Sequence, residues 1–386
     1  MGKTVLCVVG TRPEVIKMAP VILRLQQQPG ITCRVLATAQ HRGMMDQMLD
    51  FFGTSAHIDL NIMVAGQTLP ELTARLITGV SEVLRKEKPD LVLGQGDTTT
   101  VLATALAAFY ERIPFGHVEA GLRTHDLQSP FPEEANRMIA GRLAAVHFAP
   151  TDTSRDNLLG EGHDPSTVHV TGNPVIDALL IAVERQVELP IKRRPNHRLL
   201  FVTTHRRENF GSPLASACVA IRRLVERFDD VEVLWPLHPN PAVGPVVRQA
   251  VGGHERIHLV EPLTYGQCAT AMDQCEFVLT DSGGIQEEAP ALHKPVLVLR
   301  ESTERPEGLQ SGAATLVGLN EEAIFAAGSR LLADTETLAK AQPTGSPYGD
   351  GLAAMRIANV VNNMLNAPGR ALPPETAALE VPGAAS

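Results

Sequence analysis

Short apolar runs alternate along the chain with longer segments that are compatible with helices. Runs of this length are typical of buried strands, and their alternation with helical segments indicates parallel sheets covered by helices on both faces. In the first half the pattern predicts strands at 4–9, 32–37, 90–93, 114–118, 144–149 and 167–171, separated by helices near 13–28, 68–87, 98–111, 132–142 and 151–159.

The alternation restarts after Gly172-Asn-Pro174 and a charged, proline-bearing stretch at 190–198. Both halves begin with a buried strand, a polar turn and a helix, so we predict an α/β fold of two Rossmann-like, doubly wound domains facing a cleft. The strands of the second half are predicted at 199–204, 231–235, 256–260, 276–280, 295–299 and 314–317. We expect domains at 1–172 and 173–348, a helix at 349–365 that packs back on the first domain, and a disordered tail at 366–386.

The composition of the chain limits which ligands and partners we expect for the protein. The chain has 386 residues and a formal net charge of −9, which argues against nucleic acid or an anionic membrane as the main partner. Its five cysteines show no C-x-x-C pairing, no zinc pattern and no disulfide framework. The first apolar run, at 4–9, is too short for a signal peptide or a membrane span. We therefore expect a cytoplasmic protein without a bound metal.

The stretch Asp281-Ser-Gly-Gly-Ile-Gln-Glu-Glu288 lies between a predicted strand and a predicted helix. Such a turn directs several backbone N–H groups at one point, and its glycines allow close approach, so it suits a phosphate. Glu287 and Glu288 would repel phosphate but accept hydrogen bonds from hydroxyls, which indicates a nucleotide with a ribose diol. An ordinary strand-to-helix turn is the alternative that this motif alone leaves open.

Cationic residues follow several predicted strands, at the edge where doubly wound sheets bind ligands. Arg12 and Lys17 lie at the start of the first helix, and His205 and His238 follow two strands of the second half. An arginine in this place can bind a phosphate with two hydrogen bonds, and a histidine can carry a proton or donate to a phosphate. The segment 300–307, which contains Arg305, reaches the same edge. For each cation, a plain surface charge is the alternative.

Carboxylates follow two strands of the first half. Asp97 comes after one buried strand, Glu119 after the next, and Glu133 and Glu134 open a helix. Helix capping is the alternative for Asp97, and favourable interaction with the helix dipole is the alternative for the glutamates. Carboxylates that converge at one sheet edge would raise the pKa of at least one member, as acid–base chemistry at neutral pH requires.

No dinucleotide fingerprint follows these strands, because Thr99 stands where a third glycine would be needed after Gly94-Gln-Gly96. This absence argues against a bound dinucleotide.

The motifs together resemble the non-hydrolysing UDP-N-acetylglucosamine 2-epimerase family. The resemblance covers the chain up to about residue 366, and its motifs occur in the order of the family. They are Gly10-Thr-Arg-Pro-Glu14, Gly94-Gln-Gly-Asp97, His117-Val-Glu-Ala-Gly-Leu-Arg123, Pro132-Glu-Glu-Ala-Asn-Arg137, Thr204-His-Arg-Arg-Glu208 and Asp281–Glu288. The family fold is the two-domain GT-B arrangement.

The resemblance implies exchange of UDP-N-acetylglucosamine and UDP-N-acetylmannosamine by inversion at C2, for surface polysaccharide synthesis. It implies no cofactor and no metal, and it leads us to expect a homodimer. The implied catalytic residues are Asp97, Glu119, Glu133, His205 and Lys17. The implied substrate-binding residues are Arg12, Arg137, His238, Ser282, Gly283, Gly284, Glu288 and Arg305.

Some members of the family bind a second UDP-N-acetylglucosamine as an activator. Matching positions here are Gln40, His41, Gln67 and Arg207, with His238 as a further match. One neighbouring position departs from the family pattern, because Gly66 stands where an arginine is frequent.

The C2 hydrogen of the sugar is not adjacent to a carbonyl, so direct deprotonation is very difficult. Oxidation of a neighbouring carbon would need a nicotinamide, which the missing fingerprint disfavours. We therefore expect anti elimination of UDP to a glycal, followed by re-addition. The sequence leaves open a related epimerase of a UDP-2,3-diacetamido uronic acid, a hydrolysing epimerase, a GT-B glycosyltransferase and a nucleotide-sugar sensor.

Overall fold

The computed structural model describes residues 2–38, 42–64, 66–206, 211–241 and 243–366. They form two compact units, which we call the N-terminal and C-terminal units. The N-terminal unit contains the described residues up to Phe148, the segment Asn157–His169 and the described residues from Met355 onward; the C-terminal unit contains Ala149–Asp156 and the described residues of Val170–Ala354. The segment 367–386, most of the tail for which we predict disorder, lies outside the described residues.

The first sheet has seven strands in the order β3-β2-β1-β4-β5-β6-β7, and its paired strands run parallel. The strands are β1 (Lys3–Val9), β2 (Ile31–Ala37), β3 (Ile58–Asp59), β4 (Leu91–Gln95), β5 (Phe115–Val118), β6 (Val146–Ala149) and β7 (Val168–Val170). The helices that alternate with these strands are α1 (Arg12–Gln26), α2 (Arg42–Phe52), α3 (Leu69–Glu87), α4 (Thr99–Tyr110), α5 (Glu133–Leu143) and α6 (Asp152–Gly160), and α7 (Pro174–Glu184) follows the last strand.

The second sheet has six strands in the order β10-β9-β8-β11-β12-β13, and all its pairs are parallel. The strands are β8 (Arg198–Thr203), β9 (Val231–Pro236), β10 (Ile257–Val260), β11 (Phe277–Thr280), β12 (Val296–Val298) and β13 (Ala314–Leu316). Its helices are α8 (Ser212–Arg227), α9 (Val243–Val251), α10 (Tyr265–Gln274), α11 (Gly283–Glu288), α12 (Pro306–Gln310), α13 (Glu321–Ala333) and α14 (Thr335–Ala341), followed by α15 (Ala353–Asn366).

These elements confirm the predicted α/β class with two doubly wound sheets. The prediction missed α2 and the two-residue strand β3. The final helix begins at Ala353 rather than at 349. At this start the Asp177 carboxylate accepts hydrogen bonds from the backbone N–H groups of Ala353 and Ala354. Within the part of the chain that the structure describes, no helix has the length and apolar character needed to span a bilayer.

The first strand of each unit, β1 or β8, is an inner strand of its sheet and is apolar over most of its length, because helices cover both of its faces. In β1 the residues Val5 to Val9 are fully buried or nearly so, and in β8 the same holds for Leu200, Phe201 and Val202. Burial of these strands leaves their ends for polar side chains, such as Lys3 and Arg198 at the amino ends. The turn after β1 shows the pattern: Thr11 caps α1, and the Glu14 carboxylate accepts hydrogen bonds from the backbone N–H groups of Gly10 and Thr11.

Candidate active site

Two predicted catalytic carboxylates follow adjacent strands of the N-terminal unit. Residue Gln95 of β4 pairs with Val118 of β5, so Asp97 and Glu119, which come shortly after these residues, lie at the same edge of the sheet. Capping of α4 falls to Thr98, whose side chain accepts a hydrogen bond from the backbone of Val101. The helix-capping alternative for Asp97 was therefore wrong, and its carboxylate is left for another role.

Glu119 is held by two side chains. The Lys17 ammonium lies 2.5 Å from one carboxylate oxygen, and the Gln95 amide donates to the other. Glu119 is 8% exposed and has φ = 61°, in the left-handed region that favours glycine. Gly96 also has positive φ, and a Cβ there would lie 3.5 Å from the Glu119 carboxylate. The left-handed backbone at Glu119 sets the direction in which its side chain leaves the end of β5.

Asp97 interacts with α5 through Arg137. The Arg137 Nη2 atom donates to an Asp97 carboxylate oxygen at 2.5 Å, and the Asn136 amide donates to the Asp97 carbonyl oxygen at 2.9 Å. Burial raises the pKa of the Asp97 carboxyl, Arg137 opposes that rise, and the charge of Glu119 adds to it. A carboxyl whose pKa lies above its usual range is suited to proton transfer.

Glu133 is the first residue of α5 and lines a cavity of 420 Å³. Gln67, Thr98 and Asn136 line the same cavity, together with apolar groups such as Met63. Unlike Asp97 and Glu119, Glu133 makes no ion pair with any described residue. Its carboxylate is therefore available to a ligand in the cavity.

The remaining predicted cation of this unit is Arg12, the first residue of α1. It lies at the carboxyl end of β1, the strand that pairs with β4. Its guanidinium has no carboxylate partner among the described residues. Arg12 and Lys17 are therefore placed differently, since Lys17 is bound to Glu119.

In the C-terminal unit, the predicted residue His205 follows β8 and pairs with Asp281, which follows β11. The His205 Nδ1 atom lies 2.8 Å from an Asp281 oxygen, and the backbone N–H groups of His205 and Arg206 also donate to this carboxylate. Burial acts to raise the pKa of Asp281, but the bonds from His205 and Arg206 outweigh it and hold that pKa below its usual range. The His205 ring is thereby oriented with Nε2 directed away from Asp281.

His238 follows β9, and its ring centre lies 6.2 Å from that of His205. Its Nδ1 atom accepts a hydrogen bond from the backbone N–H of Asn240. The two predicted histidines of the second sheet are therefore brought together.

The Ser282 turn leads directly into α11. Ser282 makes no capping hydrogen bond with its hydroxyl, while Gly283 and Gly284 begin the helix. The Arg305 guanidinium lies 3.5 Å from where a Cβ on Gly283 would be. Arg305 is fixed there by Glu287, whose carboxylate oxygen lies 2.7 Å from its Nε atom.

The two glutamates of α11 have different partners. Glu287 binds Arg305 and the Asn173 amide, and its binding of a ligand hydroxyl stays a prediction. Glu288 is 8% exposed and accepts a hydrogen bond from the Tyr265 hydroxyl at 3.3 Å. Binding of a ribose hydroxyl by Glu288 likewise stays a prediction.

Three predicted positions, Gln40, His41 and Arg207, lie outside the described residues. Sequence reasoning did not single out Gln95 or Asp281 as site residues, although the structure shows that they orient Glu119 and His205. Both residues lie at a strand end and inside a motif of the sequence analysis, Gly94-Gln-Gly-Asp97 for Gln95 and Asp281–Glu288 for Asp281, and these positions were the available signal.

A family model described as UDP-N-acetylglucosamine 2-epimerase matches residues 23–362. The chain is 48% identical to the UDP-N-acetylglucosamine 2-epimerase of Bacillus subtilis, over 92% of this chain and 93% of that protein. It is 47% identical to the enzyme of the same name from Escherichia coli, over 93% of this chain and 98% of that protein.

The chain belongs to the UDP-N-acetylglucosamine 2-epimerase family.

A solved structure of the UDP-GlcNAc 2-epimerase from Neisseria meningitidis, bound to UDP-GlcNAc, has a TM-score of 0.82 and 44% identity to this chain. The alignment covers 93% of this chain and 100% of that one. The family assignment made from the motifs is thus confirmed, and this 2-epimerase family is one of isomerases.

Proposed function

We propose that the protein interconverts UDP-N-acetylglucosamine and UDP-N-acetylmannosamine by anti elimination and re-addition of UDP. The observation that carries this proposal is the set of carboxylates Asp97, Glu119 and Glu133 in one unit of a member of this family. Inversion at C2 requires a proton to leave one face of the sugar and another to arrive on the opposite face. Two faces need two proton-transfer groups, which a single carboxylate cannot supply.

In the proposed first step, a carboxylate removes the C2 proton while the bond between C1 and the diphosphate oxygen breaks. The electron pair of the C2–H bond forms the C1–C2 double bond of 2-acetamidoglucal, and UDP departs with the electrons of the C1–O bond. Re-addition reverses these changes with protonation on the opposite face. Water has to be excluded during this interval, because its addition to the glycal would release a free sugar.

We assign UDP binding to the C-terminal unit. His205, oriented by Asp281, donates to the departing diphosphate, and the Ser282 hydroxyl with the N–H groups of Gly283 and Gly284 provides further donors. Arg305 adds positive charge beside Gly283, and Glu288 receives a ribose hydroxyl. His238, whose ring centre lies 6.2 Å from that of His205, is a further proposed contact of UDP. In the N-terminal unit, Arg12 and Arg137 are the proposed substrate contacts, and Arg137 also holds Asp97.

Incubation with UDP-N-acetylglucosamine in D₂O, without added cofactor, tests the function by proton NMR. We expect UDP-N-acetylmannosamine to form and deuterium to appear at C2 of both epimers. Epimerisation without deuterium at C2, or a requirement for added NAD, would refute elimination. Stoichiometric free N-acetylmannosamine would instead indicate a hydrolysing enzyme.

A second UDP-N-acetylglucosamine is proposed as an activator that binds near Gln67. Gln67 lines the cavity that also contains Glu133, which would couple the two ligands directly. We expect the rate to depend sigmoidally on UDP-N-acetylglucosamine concentration, and we expect Gln67→Ala to make this dependence hyperbolic. An unchanged sigmoidal curve in that variant would exclude Gln67 from the activator site.

We also propose a homodimer, with its interface on α4 and α5, which pack against each other in the N-terminal unit. Phe109 and Tyr110 on α4 and Met138 and Ile139 on α5 are large apolar side chains that are exposed in the single chain. Sedimentation velocity of Tyr110→Asp should show dissociation relative to the wild type. The proposed setting is the cytoplasm, where the product would supply N-acetylmannosamine for surface polysaccharides.

A further inference from the structure

Glu134, the neighbour of Glu133 in sequence, has a completely different environment. Its side chain is fully buried, whereas Glu133 is half-buried and faces the cavity. One carboxylate oxygen of Glu134 accepts hydrogen bonds from the backbone N–H groups of Thr124 and His125, both at 3.0 Å. These residues belong to the connection between β5 and α5, which also carries Glu119.

The other carboxylate oxygen of Glu134 lies 3.1 Å from the Nη1 atom of Arg137. This contact is an ion pair without the geometry of a hydrogen bond, so charge rather than direction holds it. The Nη2 atom of the same guanidinium donates to Asp97 at 2.5 Å. Arg137 is therefore shared between a buried carboxylate that contacts no solvent and a carboxylate at the candidate active site.

A buried carboxylate of this kind is costly to the fold. Removing a carboxylate from water is unfavourable, and its partners must offset that cost. The neutral amide oxygen of glutamine could also accept from the two backbone N–H groups, although more weakly than a carboxylate. Arg137 is the charged group that the Glu134 carboxylate contacts.

We propose that Glu134 is a positioning residue for the epimerase reaction, which fixes the direction of Arg137 and limits how strongly Arg137 holds Asp97. The proposal rests on the function proposed above. Glu134 itself touches no substrate, since its carboxylate is enclosed by Thr124, His125 and Arg137.

The charged groups that act on Asp97 come from three elements. They are Arg137 on α5, Glu119 after β5 and Lys17 on α1. Loss of the Glu134 charge leaves Asp97 as the one carboxylate that pairs with Arg137 among the described residues. The ionised form of Asp97 is then favoured more strongly, so its pKa falls.

The test is the variant Glu134→Gln, which keeps an acceptor for both backbone N–H groups. We expect kcat to fall about tenfold with KM within about threefold, and one limb of the kcat–pH profile to move to lower pH by about half a unit or more. A purely structural role would lower the amount of folded protein without moving a limb. Circular dichroism and thermal unfolding establish that the variant is folded.

Glu14→Gln is the matched control. Glu14 is also a buried glutamate whose oxygen accepts two backbone N–H groups, but its remaining partner is the Thr98 hydroxyl rather than an arginine. We expect this variant to leave both limbs of the pH profile in place. A shift equal to that of Glu134→Gln would overturn the specific role of Arg137.

A double-mutant cycle with Arg137→Met sharpens the test. If Glu134 acts through Arg137, Glu134→Gln should cost about tenfold in the wild-type background and less than about twofold when Arg137 is already methionine. Equal costs in both backgrounds would overturn the proposal. If Glu134→Gln does not fold, the variant Arg137→Lys is used instead, because one ammonium cannot bridge both carboxylates as the guanidinium does. An unchanged pH profile in Arg137→Lys would also overturn the proposal.

The wild-type enzyme separates this proposal from the one on which it rests. Wild-type protein that exchanges no C2 hydrogen would refute the proposed function. Wild-type exchange combined with a Glu134→Gln profile that superimposes on it would refute the positioning role alone.

Discussion

Asp97 and Asp281 occupy corresponding positions in two sheets that share one strand order. Each follows the strand that pairs with the first strand of its unit, β4 beside β1 and β11 beside β8. Burial acts in the same direction on both carboxyls, yet the pKa of Asp97 is raised and that of Asp281 is lowered. The difference lies in their partners.

Asp97 pairs with Arg137, which also pairs with Glu134, and the negative charge of Glu119 raises the pKa of Asp97 further. Asp281 has the His205 ring and two backbone N–H groups, and these bonds hold its pKa below the usual range. The same fold thus produces one edge suited to moving protons and another suited to holding a negative leaving group.

The largest effect is expected when a carboxylate of the N-terminal unit is removed. We expect Asp97→Asn, Glu119→Gln and Glu133→Gln each to reduce epimerisation by about 10²-fold or more, because each removes a carboxylate from the proposed proton-transfer set. Binding of UDP, measured by calorimetry, should stay within about threefold of the wild type. Near-normal turnover in all three variants would remove the carboxylates from the mechanism.

The two sheets also differ in a buried histidine, His117, that makes the stability of the N-terminal unit depend on pH. His117 lies on β5 and is buried, with Nε2 2.7 Å from the Gly96 carbonyl oxygen, whereas His205 pairs with Asp281. Burial lowers the pKa of His117 from 6.5 to about 4. Between these two values the unfolded chain binds one more proton than the folded chain, so stability rises with pH and is lost on acidification.

The loss for His117 should approach about 3 kcal/mol between pH 7 and pH 4. Amide hydrogen exchange of β4 and β5 as a function of pH measures it within the N-terminal unit. His117→Gln should flatten this dependence. Equal slopes in the variant and the wild type would assign the acid sensitivity to other groups.

A smaller effect is expected at the second edge. Asp281→Asn should weaken binding of the UDP-sugar about tenfold, because His205 loses the carboxylate that orients it. Trp235, the single tryptophan, donates to the Thr204 hydroxyl beside His205 and reports on this region by its fluorescence. Unaltered affinity together with an unaltered fluorescence spectrum would show that Asp281 does not orient the histidine.

The smallest effect is expected at Gly283. Alanine there would contact the Arg305 guanidinium at an ordinary distance of 3.5 Å and needs no positive φ. We expect Gly283→Ala to change the free energy of unfolding by less than about 0.5 kcal/mol and to weaken UDP binding only a few-fold. A loss of binding as large as that of Asp281→Asn would mean that phosphate approaches this glycine more closely than we propose.

Much of the fold could be predicted from the sequence because buried parallel strands are short apolar runs. All the predicted strands are present, whereas β3 has only two residues and gives no such signal. The order of elements also placed Asp97, Glu119 and His205 at strand ends. Which of their neighbours would bind them could not be predicted, since Lys17 and Glu119 are 102 positions apart.

The roles of Gln95 and Glu134 were hidden for a related reason. Gln95 is the last residue of a buried strand, and Glu134 is an acidic residue in the first turn of a helix. Both positions have ordinary structural explanations. Only the tertiary contacts, to Glu119 in one case and to Arg137 in the other, distinguish them from residues that serve the fold alone.

The most direct test of the division between the two edges is the rate of deuterium entry at C2 in Asp97→Asn and Asp281→Asn, both at saturating UDP-N-acetylglucosamine. We predict that Asp281→Asn exchanges within about tenfold of the wild type, while Asp97→Asn is slower by about 10²-fold or more. Equal losses in the two variants, or a greater loss in Asp281→Asn, would contradict the assignment of proton transfer to the N-terminal unit.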